Sequence, residues 1–401
     1  MEVLFISTSI PPCMDMQTTR NMYLINSLLN RGYQIDILTC GEYYEGQSSF
    51  DSILNRTTII RTNLPNLYRW HFLAQKIFNH TPLLKIHNVL INYYAKPDLY
   101  ANWDKLAYKE ITKNEMKKYD IIISSSGSYT AHVLGAMLKK KFGIKWVADY
   151  GDPWGINAYG EINKKYYKNE QQILKYSDGL IFTTQPTIDA YNHYYDNQIR
   201  HCLVQCGYEK IIEDNECTHN DSMTFVYTGI AYSRSRNLSV ILDVISSNVD
   251  IKFKIVGTYS QSLKNGMKGH KNIIFKGRVT YAKSLEILSR ADVLVHIGNF
   301  GTMQVPGKTY IYLSSKKPIL YIQQEKNNDP TLNILSEFGG IILCVNTKES
   351  IEMAIRYIMD NYKDLKNQSE KRALSHEIEK YRWDNLGDKF CGFIDSCIEN
   401  Q

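Results

Sequence analysis

Short apolar runs alternate with amphipathic segments along most of this chain. Val3 to Ser7 is an apolar run, residues 20–30 repeat apolar side chains at helical spacing, and Gln34 to Thr39 is a second apolar run. A strand, a helix and a strand joined by short turns form a right-handed βαβ unit and predict a parallel sheet. Helical periodicity from Tyr68 to Lys118 interrupts the alternation. It resumes with predicted strands at 120–126, 145–150 and 178–184 and predicted helices at 130–143 and about 161–176.

A second alternation of the same kind follows a polar segment, residues 209–222. Its predicted strands are 224–229, 251–257, 272–277, 291–298, 317–322 and 341–345, and its predicted helices are 236–248, 281–290, 307–315 and 349–362. Both halves therefore predict α/β domains, each with a doubly wound parallel sheet whose ligands bind at the carboxyl ends of the strands.

Composition and cysteine content narrow the class of protein. The 401 residues are 43% hydrophobic and 22% charged, as in a globular chain, and their number predicts roughly two to three domains. No apolar run reaches the ~18 residues of a membrane span. Residues 1–12 lack a basic leader, so we expect no signal peptide. The eight cysteines show no CxxC pair and no metal-ligand spacing, which predicts a reduced, cytoplasmic protein without a bound metal.

The formal net charge of +6 is concentrated in one stretch. Residues 67–145 hold 13 Lys and Arg against 5 Asp and Glu, a local charge of +8, with aromatic residues interleaved. Such a stretch is typical of a nucleic-acid surface, of a protein resting on an anionic membrane, or of a solvated helical face whose aromatic side chains point inward. As partners we retain the anionic membrane surface and do not predict nucleic acid.

Residues 301–320, GTMQVPGKTYIYLSSKKPIL, are the strongest candidate for binding chemistry. A loop with two glycines and a lysine follows a strand and leads into a short amphipathic helix and another buried strand. In α/β proteins this order brings backbone N–H groups to a phosphate or a sugar hydroxyl. The alternative is a tight turn without a ligand, because glycine-loop patterns alone are weak signals.

Several short motifs occur in the order and spacing of one enzyme family. They are the Pro11–Pro12 pair before an early arginine, the RGY turn at 31–33, the stretch ending DYGDPW at 149–154, and FVYTG, IVG, FKGRV, ADVLV and PGKTYIYLSSKKPIL in the second half. Over nearly the whole chain this sequence resembles bacterial glycosyltransferases of the GT-B fold, most closely glycosyltransferase family 4. The resemblance implies two doubly wound Rossmann-like domains facing a cleft.

The resemblance also implies domain limits and an activity. Residues 1–205 would form the acceptor-side domain, 206–222 a linker, and 223–380 the domain that binds the nucleotide sugar, while a C-terminal helix, 381–398, would pack back on the first domain. The implied reaction is hexosyl transfer, with retention and without metal or cofactor, from a nucleotide-sugar donor to a glycan acceptor, which is expected to be lipid-linked. This activity would belong to capsule or lipopolysaccharide biosynthesis, in the cytoplasm or at the inner face of the cytoplasmic membrane.

The chain departs from the family pattern at positions that bear on catalysis. Family members carry two glutamates eight positions apart, the second of which binds the donor ribose, whereas Met303 and Ile311 occupy those positions here. The first loop lacks the usual glycines, and the segment from Asp149 to Asp152 lacks the intervening arginine. These departures support an alternative function, a catalytically weak GT-B protein that binds sugar as the partner of another transferase.

Candidate donor contacts follow from the charge of the leaving group. Loss of a nucleoside diphosphate develops negative charge that, without a metal, must be met by Arg, Lys or helix N-termini. Arg236 lies at the start of a predicted helix and Lys308 in the first turn of another, although either could be a solvated surface cation. By the resemblance, the backbone at 301–303 meets the sugar or β-phosphate and that at 278–279 meets the nucleobase. The predicted donor contacts are Arg20, Gly229, Arg234, Arg236, Gly257, Arg278, Val279, Gly301, Thr302, Met303, Gln304 and Lys308.

Asp152 and His132 are the candidates for catalysis. Asp152 follows the end of a strand and could orient the acceptor hydroxyl or help to remove its proton. An Asp before Pro is also an ordinary turn residue. His132 lies in the first turn of a helix after a loop, where a lone histidine is more often structural than catalytic.

Overall fold

The structure is a computed structural model that describes residues 1–13, 15–41, 49–78, 81–113, 115–195, 199–214, 222–231, 236–248, 250–324 and 329–399. The chain divides into two compact units. The first unit comprises Met1–Asn157, Glu161–Gln205 and Leu386–Gln401, and the second comprises Ala158–Gly160 and Cys206–Asn385. Residues 215–221 of the predicted linker lie outside the described residues.

A parallel sheet of seven strands forms the centre of the first unit. Its strands are β1 (Glu2–Ile6), β2 (Gln34–Cys40), β3 (Thr58–Thr62), β4 (Ile121–Ser125), β5 (Lys145–Tyr150), β6 (Gly179–Phe182) and β7 (His201–Leu203). Their spatial order is β3-β2-β1-β4-β5-β6-β7, so the direction of winding reverses between β1 and β4. β1, β4 and β6 carry almost only buried residues, as expected for a sheet covered on both faces.

Helices connect these strands. They are α1 (Met16–Asn30), α2 (Asp51–Leu54), α3 (Asn66–Phe78), α4 (Leu83–Tyr94), α5 (Trp103–Ile111), a 3₁₀ helix (Met116–Lys118), α6 (Tyr129–Phe142), α7 (Tyr167–Leu174) and α8 (Gln185–Tyr194). Asp15 caps α1 by accepting a hydrogen bond from the Thr18 N–H at 2.6 Å. Gly143 ends α6 in the left-handed conformation, with φ of 74°, which glycine adopts without steric cost.

The second unit has a parallel sheet of six strands. These are β8 (Met223–Ala231), β9 (Ile251–Tyr259), β10 (Ile273–Lys276), β11 (Val293–Ile297), β12 (Ile319–Gln323) and β13 (Ile341–Val345), in the order β10-β9-β8-β11-β12-β13. The direction of winding reverses between β8 and β11. The helices are α9 (Ser239–Ser246), α10 (Gln261–Gly266), α11 (Tyr281–Ser289), α12 (Lys308–Leu313), α13 (Pro330–Leu335), α14 (Lys348–Asp360), α15 (Tyr362–Ala373) and a 3₁₀ helix (His376–Tyr381).

The last helix, α16 (Trp383–Glu399), belongs from Leu386 onward to the first unit. Arg31 pairs with Asp388 and Asp395, at 3.1 Å in each case, and the Tyr33 hydroxyl donates to Asp395. The apolar side chains of Phe390 and Ile394 are fully buried. The first unit is therefore assembled from both ends of the described chain.

The predicted pair of doubly wound parallel sheets is confirmed. Two predicted helices start too early. α9 begins at Ser239 and not at 236, and α7 begins at Tyr167 and not at 161. Before α7 the chain instead turns back on itself through an antiparallel bridge between Ile156 and Ile162. In the described ranges, no helix combines the length and the apolar character that crossing a bilayer requires.

Candidate functional site

The carboxyl ends of β8 and β11 mark the point where the second sheet reverses its winding. Val293 and Leu294 of β11 pair with Phe225 and Val226 of β8, so the chain leaves both strands at the same edge of the sheet. In doubly wound sheets ligands bind in the crevice at such a reversal, because the connections on either side diverge to opposite faces. The residues that follow these two strands therefore form the candidate site of this unit.

Lys308, at the start of α12, places a buried ammonium group in this site. Its Nζ has no hydrogen-bond partner among the described atoms and lies 4.0 Å from the ring centre of Tyr227 in β8 and 5.9 Å from that of Tyr312. Burial lowers the pKa of Lys308 well below its ordinary value, and the positive charge of Arg236 lowers it further. A buried cation with no oxygen acceptor is costly, and an anion in the site would relieve that cost.

Arg236 supplies the second positive charge. It lies in the loop before α9, and its Nε donates to the Asn299 side-chain oxygen at 2.9 Å, which ties the loop after β8 to the loop after β11. This contact uses Nε, and within the described part of the chain the two terminal nitrogens of the guanidinium group have no hydrogen-bond partner, so they could bind a ligand such as a diphosphate. Among the residues the structure describes, no group of three or more His, Cys, Asp and Glu is placed to hold a metal ion.

Neutral polar groups surround the two cations. The Tyr312 hydroxyl lies 3.1 Å from the Thr228 N–H and 3.0 Å from its hydroxyl, and His296 Nε2 lies 2.8 Å from the Thr309 hydroxyl. Burial lowers the pKa of His296 well below its ordinary value, with a further contribution from the charge of Lys308. His296 is therefore neutral at pH 7 and adds no positive charge to that of Arg236 and Lys308.

Gly229 and Gly257 are required by the backbone of the sheet at this edge. They are paired in β8 and β9 and have φ of 125° and 130°. A Cβ on Gly257 would lie 2.1 Å from the carbonyl oxygen of Gly229, so only glycine fits there. The structure thus supplies a packing reason for Gly257 and a conformational reason, the positive φ, for Gly229, and neither reason requires a ligand.

The backbone N–H groups of the loop that starts at Gly301 already donate hydrogen bonds within the chain. The N–H groups of Thr302 and Met303 donate to the carbonyl oxygen of Ala158, at 2.8 and 3.3 Å. A Cβ on Gly301, which has φ of 95°, would lie 2.3 Å from that oxygen. The predicted contact of these N–H groups with a phosphate or sugar is therefore replaced in this structure by a contact with residue 158.

The two positions that carry glutamates in the similar family are core positions here. The Met303 and Ile311 side chains are 4% and 7% exposed, and the Met303 sulfur would lie 3.2 Å from a Cβ on Gly160. Gln304, which follows Met303, is half-buried. No carboxylate can therefore bind a ribose from these two positions.

The remaining predicted donor contacts lie away from the two cations or outside the described part. Arg278 is exposed and Val279 half-buried, and both follow β10, the edge strand two places from β8. The Thr280 hydroxyl caps α11, so this segment is fixed as a helix start. Arg234 lies outside the described residues.

Arg20, predicted to reach the donor, is a core residue of the first unit. Its guanidinium group forms a bidentate ion pair with Asp149, in which Nη2 donates to Oδ1 at 2.6 Å and Nε donates to Oδ2 at 3.3 Å. Nη1 donates to the carbonyl oxygens of Val204 and Gln205, both at 2.8 Å. The side chain is fully buried and its guanidinium group is used internally, which indicates a structural role, and the phosphate contact stays a prediction.

His132, one of the two predicted catalytic residues, is also buried. Its Nδ1 lies 2.8 Å from the Ser124 hydroxyl, which also accepts from the Trp146 indole at 2.8 Å, and its ring centre lies 4.4 Å from that of Tyr150. Burial lowers the pKa of His132 to about 3, so the ring is neutral. This placement indicates a structural role, and the catalytic role of His132 stays a prediction.

Asp152 is exposed in the loop that follows β5, and a buried glutamate forms hydrogen bonds that hold this loop. Glu170 accepts hydrogen bonds from the Gly155 N–H at 2.7 Å, from the Tyr191 hydroxyl at 2.6 Å and from the Tyr195 hydroxyl. Burial raises the pKa of Glu170, while these donors lower it. Asp152 is therefore exposed, as a catalytic carboxylate must be, and it lies on a loop that Glu170 holds in place.

Sequence reasoning missed Glu170, Tyr227 and Asn299. Glu170 lies in an apparently polar helix, α7, whose pattern does not distinguish its one buried acid. Tyr227 precedes the end of β8, and Asn299 comes two residues after β11. A polar residue just beyond a buried strand is the signal that could have identified Asn299.

Comparisons with known proteins agree with this architecture. No protein-family model matches the chain, and no curated protein matches it in sequence. Among solved structures it is similar to sucrose-phosphate synthase of Thermosynechococcus elongatus, with 13% identity, all of both chains covered and a TM-score of 0.69. It is also similar to HepE of Anabaena in complex with UDP and glucose, with 9% identity, 99% of this chain and all of HepE covered and a TM-score of 0.67. For the lipopolysaccharide glycosyltransferase WaaG the values are 11% identity, 97% and 100% coverage and a TM-score of 0.62. Together with the two doubly wound sheets, these similarities show that the chain has the GT-B fold.

Proposed function

We propose that this protein is a glycosyltransferase that binds the diphosphate of a nucleotide sugar between Arg236 and Lys308. The observation that carries the proposal is the buried Lys308 ammonium at the strand reversal of the second sheet, which has no hydrogen-bond partner among the described atoms and feels the charge of Arg236. HepE, which shares the fold, binds UDP and UDP-glucose. A dianionic diphosphate supplies the oxygen acceptors that both side chains need.

The same two cations fit the chemistry of sugar transfer. Breaking the bond between the sugar and the diphosphate moves negative charge onto the leaving group, and preorganised cations stabilise that charge as it develops. Because Arg236 is held by Asn299 and Lys308 by Tyr227, little reorganisation is needed at that moment. We propose that the reaction proceeds with retention, without metal or other cofactor.

On the acceptor side we propose that Asp152 orients the attacking hydroxyl or receives its proton. The acceptor in this proposal is a glycan, lipid-linked, and the sugar transferred is a hexose. The corresponding process is assembly of a capsule or lipopolysaccharide in the cytoplasm, at the inner face of the membrane.

Calorimetry with UDP, GDP and ADP, in buffer containing EDTA, tests the binding site. We expect one of the three diphosphates to bind in EDTA, and Lys308→Met to weaken it while Lys363→Met, a change at an exposed lysine on α15, has no effect. Binding that disappears in EDTA and returns with Mg²⁺ or Mn²⁺ would refute the metal-free site. Equal affinity for the two variants would refute the role of Lys308.

A second function, sugar binding without efficient transfer, is favoured by the loop at 301–303. Met303 and Ile311 are buried where the similar family has glutamates, and two N–H groups of the loop donate to Ala158. Product analysis with a radiolabelled nucleotide sugar distinguishes the two functions. Tight donor binding without transfer to acceptor glycans, and without donor hydrolysis, would favour the binding partner over the enzyme.

A further inference from the structure

Helices α3 and α4 of the first unit expose an extensive apolar surface. Ten of their large hydrophobic side chains are 46–70% exposed, with Val89 at 70% and Tyr93 at 68%. Monomeric soluble proteins rarely expose contiguous apolar patches of this kind without a partner. We call the exposed sides of these two helices the hairpin face.

The hairpin face follows from the spacing of residues along the helices. In α4, Ile86, Val89 and Tyr93 recur at intervals of three and four and point outward, whereas His87 and Ile91 are buried. The two helices are joined on their inner side, where His71 Nδ1 lies 3.0 Å from His87 Nε2. The sequence thus places apolar residues on the outer face of a packed helix, where a solvated helix would carry polar ones.

The charged residues of the segment that forms this face are all basic. Residues 63–97 contain four Lys and Arg and no Asp or Glu. Two of these cations lie over aromatic rings, Lys76 with its Nζ 4.7 Å from the Phe72 ring centre and Lys96 with its Nζ 5.2 Å from that of Tyr93. Apolar side chains with lysines and tyrosines among them match the boundary between acyl chains and anionic headgroups.

We propose that the hairpin face rests on an anionic lipid bilayer. Two copies of this chain meeting on the face would bring identical basic residues together and repel each other. A protein partner would have to supply every acidic group, and lysine is depleted in the centre of protein interfaces. Anionic headgroups complement the charge, and the acyl boundary receives the apolar side chains. The proposal does not depend on the activity of the second unit.

Trp70 provides a direct test. Its side chain is 50% exposed on α3, whereas the other four tryptophans, at 103, 146, 154 and 383, are at most 3% exposed. We expect vesicles of phosphatidylcholine and phosphatidylglycerol to quench Trp70 fluorescence when their acyl chains are brominated. Pure phosphatidylcholine vesicles should bind at least ~10-fold more weakly, and raising salt from about 0.05 to 0.5 M should weaken binding to the anionic vesicles.

Matched variants assign the effect to the hairpin face. The triple variant Ile86→Ser, Val89→Ser, Tyr93→Ser should reduce partitioning into anionic vesicles at least ~10-fold. The control Met353→Ser, Tyr357→Ser removes side chains that are 70% and 53% exposed on α14 and should partition like the wild type. Circular dichroism of each variant confirms that it is folded.

Three results would overturn the proposal. The first is equal binding to charged and uncharged vesicles, and the second is anionic binding without quenching of Trp70. The third is unchanged partitioning of the folded triple variant. Dimerisation in light scattering that the triple variant abolishes, with no vesicle binding by the wild type, would assign the face to a second copy instead.

Discussion

Replacing Lys308 by Met should change stability and ligand binding in opposite directions. Met keeps most of the length of the side chain and its contact with Tyr227, and it removes the buried ammonium that has no acceptor among the described atoms. If the lysine is present for an anion, the ligand-free protein gains stability from the change, while the affinity for a diphosphate falls. If the lysine is only a packing residue, neither effect follows.

The magnitudes follow from the surroundings of Nζ. An unsatisfied buried donor costs ~1–3 kcal/mol, and the cation–π contact with Tyr227 offsets ~0.5–2 kcal/mol of that cost. We therefore expect Lys308→Met to raise the free energy of unfolding by about 1 kcal/mol, equivalent to ~2–4 °C in Tm for a unit of this size. Loss of one charge-assisted hydrogen bond to the diphosphate should cost ~1.5–3 kcal/mol, or ~10- to 150-fold in Kd.

Protonation gives an independent readout of the same residue. The pKa of Lys308 is lowered in the free protein, and a bound diphosphate would raise it. Binding should therefore take up protons and become tighter as the pH falls. Calorimetry in buffers of different ionisation enthalpy measures this uptake, and the difference between wild type and Lys308→Met removes the contribution of the diphosphate itself. A destabilised Lys308→Met variant with unchanged diphosphate affinity and unchanged proton uptake would refute the reasoning.

Three further predictions concern Arg236, Asp152 and His132. Arg236→Ala should weaken diphosphate binding by ~1.5–3 kcal/mol and leave nucleoside binding nearly unchanged in calorimetry, and equal losses for both ligands would indicate an effect on folding. Asp152→Asn should reduce transfer by ~10²-fold or more at nearly constant donor affinity, and near-normal turnover of a stable variant would reduce Asp152 to a turn residue. His132 has a folded-state pKa of about 3, below the ~6.5 of an unfolded chain, so the unfolded state takes up its proton first as the pH falls. The stability that His132 contributes is present above pH ~6.5 and is lost between ~6.5 and 3, by up to ~4–5 kcal/mol. Chemical denaturation should show that the free energy of unfolding of His132→Gln falls less steeply with decreasing pH than that of the wild type. An unchanged slope would contradict this assignment.

The fold was predictable because most of its strands and helices have a recognisable pattern of apolar residues. Buried parallel strands such as β4 and β11 are continuous apolar runs, and amphipathic helices such as α14 repeat their apolar residues every three or four positions. β3, β7 and α2 were missed because none of them shows a buried apolar run or a helical period. β3 and β7 are the edge strands of the first sheet and have no buried residue, and α2 has only four residues, too few to establish a period.

The candidate site was only partly predictable because sequence identifies a charge but not its surroundings. Arg20 and Arg236 are both arginines near the start of a helix, yet Arg20 is buried against Asp149 and Arg236 contacts Asn299. The partners of Arg20 are 129 or more residues away in sequence. Such long-range contacts depend on the strand order, and no local pattern records them.

The position of α16 has a consequence for synthesis of the chain. The first unit needs residues from 386 onward, which are made only after the roughly 180 residues of 206–385. At ~5–20 residues per second, the nascent first unit waits roughly ten to forty seconds for the helix that covers Gly179 and Arg31. During that interval the surface that receives Phe390 and Ile394 stays exposed, and exposed apolar surface of this kind makes a folding intermediate prone to aggregate.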